Sequence, residues 1–88
     1  MDRNAILVHP GDNVAVATRE IKSGEAVAGV NGAGITARAD IPKNHKVAIE
    51  EISEGSAVIK YGEPIGRAGE AIHAGDWVHT HNLKAEEG

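Results

Sequence analysis

Five histidines stand out in this sequence of 88 residues, because an imidazole can bind a divalent metal ion or move a proton near neutral pH. His79 and His81 are separated by one residue, and residues i and i+2 of a β-strand face the same side. Two neutral imidazoles on one side are suitable ligands for Fe²⁺, Mn²⁺ or Zn²⁺. The spacing therefore offers a metal site, although the same pattern also occurs on solvated edge strands that bind nothing.

Lys60 and Tyr61 form a second pair of side chains with chemical potential. A lysine ammonium can hold a substrate carboxylate, and a tyrosine hydroxyl can move a proton. The alternative is structural, with a lysine at a strand end and a half-buried tyrosine beside a turn at residues 62–64. Asp12 and Asn13 also allow two interpretations, a clamp on a substrate or the turn cap that such residues usually form before a strand.

The composition limits what a chain of this length can do alone. It makes one domain at most, and it contains no Phe, one Trp and one Tyr, so its core is built from small side chains. Such a core is marginally stable, which favours a partner subunit, a second domain or a homo-oligomer. The absence of cysteine excludes disulfides and thiolate metal sites.

The charge and the hydropathy pattern exclude further classes of protein. A net charge of −4 argues against binding to a phosphate backbone, and two aromatic residues cannot form a base-stacking platform. No apolar run approaches the roughly 18 residues of a transmembrane helix. Residues 1–4 lack the basic region and apolar stretch of a secretory signal. We therefore expect a cytoplasmic protein that binds neither nucleic acid nor membrane.

A fourfold repeat must position the candidate side chains. The pattern Ala-x3-Ile-x2-Gly-x2-Val begins at Ala17, Ala48 and Ala68, and Ala37 begins a copy in which Asn44 replaces the glycine. The interval from Ala17 to Ala48 equals the interval from Ala37 to Ala68, so one constant shift maps the first pair of copies onto the second. Gly and Asn adopt the left-handed backbone conformation most readily, which predicts a positive-φ turn at one point of every copy.

Each repeat unit is predicted to be a strand, a tight turn and a second strand, because β-branched residues flank a turn cluster. The fold class is therefore all-β, a small domain of duplicated strand-turn-strand units arranged as a barrel or a folded ribbon. The isoleucine of each unit is expected to point inward from a short 3₁₀ or helical turn. Residues 83–88 are expected to form a disordered polar tail, which sets the domain at residues 1–82.

Four ordered segments carry a resemblance to a known family. The segments are His9-x3-Asn13-Val14-Ala15-Val16-Ala17, His45-Lys46-Val47-Ala48, Val58-Ile59-Lys60-Tyr61-Gly62-x2-Ile65-Gly66 and Val78-His79-Thr80-His81-Asn82. Together they resemble the N-terminal SAF domain of the altronate and galactarate dehydratase family, over nearly the whole chain. The resemblance implies a β-clip, which is a long ribbon folded twice on itself. In this family the same domain also occurs as a separate small subunit beside a large catalytic subunit.

The resemblance also implies an activity, that of a lyase that removes water from a sugar acid of the altronate or galactarate type. The chain would not be active alone, because a large catalytic dehydratase subunit would complete its site. A divalent metal, Fe²⁺ or Mn²⁺, would be held by His79 and His81, and catalysis is assigned to Lys60, Tyr61 and His81. The residues assigned to substrate binding are His9, Asn13, His45, Lys46 and Asn82.

Two other functions remain open at this point. The first is a small subunit of a sulfolactate sulfo-lyase, in which sulfite leaves in place of water. The second is a SAF module that binds a carbohydrate or another ligand without catalysis. A large dehydratase-like partner encoded nearby would favour a lyase over the binding module.

Overall fold

The computed structural model describes residues 3–30 and 34–85, and the regular elements in these ranges are all β-strands. The predicted all-β fold class is therefore confirmed. The strands are β1 (Ala5–Ile6), β2 (Val14–Ala17), β3 (Lys46–Ala48), β4 (Ala57–Lys60), β5 (Glu63–Ala68), β6 (Trp77–Val78) and β7 (Leu83–Ala85). Long loops that contain isolated bridges join these short strands into an elongated body of 40 × 22 × 20 Å.

The strands form two antiparallel sheets. The first sheet has the order β1-β2-β3-β6, and the second has the order β4-β5-β7. In the first sheet Val47 pairs with Ala15 on one side and with Trp77 on the other. Since successive residues of a strand face opposite sides, Lys46 and Val47 point to opposite faces of this sheet.

The apolar side chains form two core clusters, one on each face of the first sheet. Each cluster is supplied mainly by two repeat units, those that begin at Ala17 and Ala37 for the first cluster and those at Ala48 and Ala68 for the second. The first cluster contains Ala5, Ala15, Ala17, Ile21, Val27, Ala37, Ile41 and Val47. The second contains Val14, Ala48, Ile52, Val58, Ala68, Ile72 and Val78.

The duplication predicted from the sequence is visible in the backbone hydrogen bonds. In the first half the Gly24 N–H donates to the Ala37 carbonyl at 2.8 Å. In the second half the Gly55 N–H donates to the Ala68 carbonyl, also at 2.8 Å. The constant shift of the repeat maps the first bond onto the second, so the halves share their backbone pairing as well as their sequence pattern.

The repeat isoleucines are buried as predicted, but not on helical turns. Ile21 pairs with Ile41 in an isolated antiparallel bridge, and Ile52 pairs with Ile72 in the same way. The expectation of 3₁₀ turns was wrong, because the N–H and C=O groups of Ile21 and Ile41 bond to each other, at 2.9 and 2.7 Å, and not along the chain. No helix in the described part of the chain is long and apolar enough to cross a membrane.

The positive-φ turns are confirmed in all four units. The φ angles are 89° at Gly24, 69° at Asn44, 84° at Gly55 and 95° at Gly75. Each of these residues is the third of a four-residue turn that is closed by a backbone hydrogen bond, as in a type II turn. Asn44 therefore replaces glycine where a left-handed conformation is required.

The predicted disordered tail, residues 83–88, includes residues that are ordered in the structure. Residues 83–85 form β7, in which Leu83 pairs with Ala68 of β5. The prediction failed because Leu83 also packs against the second core cluster, and burial of this apolar side chain stabilises the ordered strand. Residues 86–88 lie outside the described residues.

Candidate functional site

The predicted site residues gather in two places, which we call the Trp77 cluster and the Tyr61 cluster. The Trp77 cluster consists of His45, Trp77, His79 and His81. The Tyr61 cluster consists of His9, Lys46, Lys60 and Tyr61. The remaining predicted residues, Asn13 and Asn82, are buried beneath them.

The Trp77 cluster is an assembly of four aromatic rings. The indole Nε1–H of Trp77 donates a hydrogen bond to Nδ1 of His45 at 3.1 Å. The His79 ring stacks on the indole with a centroid distance of 5.3 Å and an interplanar angle of 6°. The His81 ring is tilted by 44° at 5.2 Å from the indole, and the His45 and His79 centroids lie 4.8 Å apart.

Two turns position these rings. His45 ends the positive-φ turn before β3, whereas His79 begins a turn after β6 in which the Asn82 N–H donates to the His79 carbonyl at 3.1 Å. The Asn82 side chain secures this second turn, because Oδ1 accepts from the His79 N–H at 3.0 Å and Nδ2 donates to the Trp77 carbonyl at 2.9 Å. Asn82 is 4% exposed, so its amide is engaged within the chain.

The donor set for the predicted metal is incomplete within the described part of the chain. His79 and His81 each contact the Trp77 indole, and their neutral imidazoles suit Fe²⁺ or Mn²⁺ chemically. Within residues 3–30 and 34–85, no group of three or more His, Cys, Asp or Glu side chains is arranged to hold a metal ion. A site at these two histidines would therefore take its other ligands from elsewhere, and the metal assignment stays a prediction.

The Tyr61 cluster is built on a tight hairpin between β4 and β5. Tyr61 and Gly62 both have positive φ, 57° and 73°, as in a type I′ turn. Tyr61 is 59% exposed, and its hydroxyl oxygen accepts a hydrogen bond from Lys60 Nζ at 3.1 Å. The His9 ring packs against Gly62, where an added Cβ would lie only 3.1 Å from it.

Asp12 holds this hairpin in place. Its carboxylate accepts hydrogen bonds from the backbone N–H groups of Tyr61 at 3.0 Å, Gly62 at 2.8 Å and His9 at 3.2 Å. Of the two interpretations of Asp12 in the sequence, the contacts support the turn cap. The three donors include the backbone of two residues predicted to touch the substrate, so Asp12 links them.

Asn13 is likewise engaged with the backbone. Its Nδ2 donates to the Ala57 carbonyl at 3.0 Å, and its Oδ1 accepts from the Ile59 N–H at 2.8 Å. Asn13 is 7% exposed, so these bonds fasten the start of β2 to β4. Its predicted contact with a substrate stays a prediction.

Lys46 adds a second positive charge to the Tyr61 cluster, near that of Lys60. Partial burial, and then the positive charge of Lys60, lower the pKa of Lys46, whereas Tyr61 acts in the opposite direction. Neither lysine forms an ion pair with a carboxylate of the described residues. Two cations held near each other without a counter-ion favour binding of an anion.

Sequence reasoning missed the parts that Trp77 and Asp12 play in these clusters. A signal for Trp77 existed, because the constant shift that maps Ala17 onto Ala48 also maps Lys46 onto Trp77. The Trp77 cluster therefore includes a position at which the two halves differ chemically. The sequence offered Asp12 as a turn cap, but no signal indicated that its partners would be the N–H groups of Tyr61 and Gly62, 49 and 50 residues away.

Comparison with known proteins agrees with the resemblance inferred from the sequence. The profile of the altronate/galactarate dehydratase SAF domain matches residues 3–86. Altronate dehydratase of Bacillus subtilis is 39% identical over 82 residues, and altronate dehydratase of Escherichia coli is 44% identical over 79 residues. These matches cover 93% and 90% of this chain but only 16% of either relative.

A smaller relative is similar over part of the chain. The alpha subunit of (2R)-sulfolactate sulfo-lyase from Paracoccus pantotrophus is 48% identical over 52 residues. The match covers 59% of this chain and 78% of that subunit. The same sequence pattern therefore occurs as a small part of a long protein and as most of a short one.

Proposed function

Because the chain belongs to the altronate/galactarate dehydratase SAF domain family, we propose that it contributes substrate-contacting residues to a hydro-lyase that dehydrates a sugar acid of the altronate or galactarate type. A large catalytic dehydratase portion, on the same polypeptide or on another, would complete the site. The proposal is supported by the two altronate dehydratases, in which the matched segment is 16% of the length.

The proposal rests on the positive charges of Lys46 and Lys60. The Lys60 ammonium donates to the Tyr61 hydroxyl, and its charge lowers the pKa of Lys46. A sugar acid brings a carboxylate, and this anion would supply the counter-ion that the described residues do not. Binding of the carboxylate offsets the burial and repulsion that lower the pKa of Lys46. Lys46 and Lys60 would therefore orient the acid end of the substrate.

Dehydration needs a base that removes the proton next to the carboxylate and an acid that assists loss of the neighbouring hydroxyl. The Tyr61 oxygen already accepts from Lys60, which leaves its own O–H proton available to an outside acceptor. We assign proton transfer to Tyr61 or His81, and substrate contact to His9 and His45.

A divalent metal, Fe²⁺ or Mn²⁺, would be held by His79 and His81 together with ligands from the large portion. When bound, it would supply Lewis acidity at the leaving hydroxyl. We assign Asn13 and Asn82 to holding the strand and the turn that carry the other groups, because their amides bond to backbone.

The test is a steady-state assay of the assembled enzyme, with this chain joined to or co-expressed with its large portion. We expect altronate or galactarate to be dehydrated by the assembly and not by this chain alone. The variant K46Q removes one charge-assisted hydrogen bond worth about 1.5–3 kcal/mol, so we expect its KM to rise by about 10- to 100-fold.

The matched control is K43Q, which removes an exposed lysine outside both clusters and should leave KM unchanged. Equal KM values for K46Q and K43Q would refute the carboxylate-binding role.

A second candidate function is favoured by the match to 78% of the sulfo-lyase alpha subunit. In that case sulfolactate would be the substrate, and sulfite would leave. The same assembly should therefore be assayed for sulfite release. Binding of a sugar acid without turnover in the complete assembly would instead support the non-catalytic module.

A further inference from the structure

The hydrogen bond between Trp77 and His45 has only one possible direction. An indole Nε1–H is a donor and never an acceptor. Its partner at 3.1 Å is Nδ1 of His45, which must therefore carry a lone pair and no proton. A neutral imidazole bears a single N–H, so the proton of His45 resides on Nε2.

We propose that Trp77 is a positioning residue that holds His45 as the Nε2–H tautomer. His45 then offers a hydrogen-bond donor to an oxygen of its ligand, a carboxylate or a hydroxyl group. Because Nε2 has no lone pair in this tautomer, that nitrogen neither removes a proton nor binds a metal ion. The identity of the oxygen as part of a sugar acid rests on the proposed function, whereas the tautomer does not.

The indole is fixed well enough to impose this choice. Trp77 lies on β6, where it pairs with Val47 of the first sheet. Its carbonyl accepts from Asn82 Nδ2 at 2.9 Å, and its ring is covered by the nearly parallel His79 ring. The donor therefore has a defined direction, and the His45 ring must turn Nδ1 towards it.

The fixed tautomer of His45 gives it a different role from the other two histidines of the Trp77 cluster. His79 and His81 contact the indole through their rings, and no bond from Trp77 Nε1 constrains their nitrogens. They keep a choice of tautomer and so remain suited to a metal ion or to proton transfer. His45, by contrast, is suited to recognition of an oxygen.

The tautomer can be measured by ¹⁵N NMR of the histidine side chains in the 88-residue chain. The spectrum is recorded over a pH series, and the tautomer is determined where the His45 signals have stopped moving with rising pH, because protonated and unprotonated ring nitrogens resonate far apart. We expect Nδ1 of His45 to be unprotonated and to show a scalar coupling to Trp77 Nε1 across the hydrogen bond. The His45 signals are identified by their loss in H45Q.

The variant W77F keeps an aromatic ring but removes the donor. We expect the Nδ1 signal of His45 to move towards the average of the two tautomers in W77F. The control H81A removes another ring contact of Trp77 without touching the hydrogen bond, and it should leave the His45 signals unchanged. If W77F does not fold, the coupling in the unmodified chain still decides the question.

A protonated Nδ1 in the unmodified chain, or His45 signals that are the same in W77F, would overturn the proposal. In the assembled enzyme, H45Q retains an N–H donor and should keep kcat/KM about 3- to 10-fold above that of H45L. An enzyme without dehydratase activity would refute the proposed function alone, because the NMR result stands independently of it.

Discussion

The carboxylate of Asp12 supports the Tyr61 cluster, where we propose that the substrate binds. Asp12 is 4% exposed and receives three backbone N–H groups, two of them from the Tyr61-Gly62 hairpin. Tyr61 holds a positive φ, which a side chain other than glycine adopts only at a cost. The bonds to Asp12 offset that cost, so this residue acts on the site through the backbone.

We predict that D12A lowers the free energy of unfolding by about 1–3 kcal/mol, because three N–H groups lose their acceptor. The measurement is urea denaturation at neutral pH. D12N retains one acceptor oxygen and should lose less. A D12A variant as stable as the unmodified chain would contradict the role of this carboxylate as a cap.

At the scale of the residue, the sequence identified the groups that can do chemistry better than the groups that hold them. The histidines, Lys46, Lys60 and Tyr61 are noticeable by type and by motif, and most of them lie in the two clusters. Asp12 and Trp77 act through long-range partners that spacing along the chain cannot reveal. For this reason the support of the site emerged only from the structure.

At the scale of the element, the turns of the repeat are alike in φ but differ in their surroundings. A Cβ added at Gly24 or Gly55 would meet no atom within 4 Å, whereas at Gly75 it would overlap the Thr36 carbonyl oxygen. The fourth turn is thus packed against the loop of the first half. The Arg38 N–H also donates to the Gly75 carbonyl at 2.9 Å, which ties the two segments together.

We predict that G24A and G55A each cost about 1–2 kcal/mol of stability, the cost of a left-handed alanine. G75A should cost about 1–3 kcal/mol more, because the backbone must also move to relieve the overlap. Thermal or urea unfolding of the three variants measures the difference. A G75A variant as stable as G24A would show that the two segments separate easily.

The repeat made most of the elements predictable. Burial of the isoleucines and the positive-φ turns follow from residue type and period, and both were found. The 3₁₀ turns and the end of the domain at residue 82 were wrong. Both failures have one cause, since bridges between Ile21 and Ile41 and the pairing of β7 with β5 depend on partners distant in sequence.

At the scale of the whole molecule, surface carboxylates tie the stability of the fold to pH. A hydrogen bond from Arg19, reinforced by the Lys22 N–H, lowers the pKa of Glu25 from 4.5 to about 2. The pKa of Glu51 is lowered as well, by the His73 ring and the Ala74 N–H. Both groups bind protons more weakly in the folded chain than in the unfolded chain.

A depressed folded-state pKa stabilises the fold above the unfolded value and loses that effect as the pH falls. We therefore predict that the urea midpoint declines between about pH 4.5 and pH 2, and that E25Q reduces this decline. E50Q, which removes an exposed carboxylate elsewhere, is the matched control, and E25Q should reduce the decline more than E50Q does. An identical decline in E25Q and in the unmodified chain would contradict the assignment to Glu25.

The fold class and the family could be predicted from the sequence because several motifs occur in a fixed order along the chain, and together they are more specific than any one of them. The all-β fold and the family were both predicted, and both are confirmed. The complete active site was not accessible in the same way, since this chain matches only 16% of either altronate dehydratase. Any ligands and bases that the proposed large portion contributes would leave no trace in these 88 residues.

The division of the apolar residues between two clusters sets an order of events during synthesis. Every buried member of the first core cluster precedes residue 48, so this cluster can begin to form once Val47 has left the ribosome, although Ile49 and Trp77, which pack against it, emerge later. His45 belongs to this early half, whereas Trp77, His79 and His81 emerge only after most of the second half has been made. We therefore expect the Trp77 cluster to assemble later than the first core cluster, and a nascent chain stalled before Trp77 to contain the first core cluster without the Trp77 cluster.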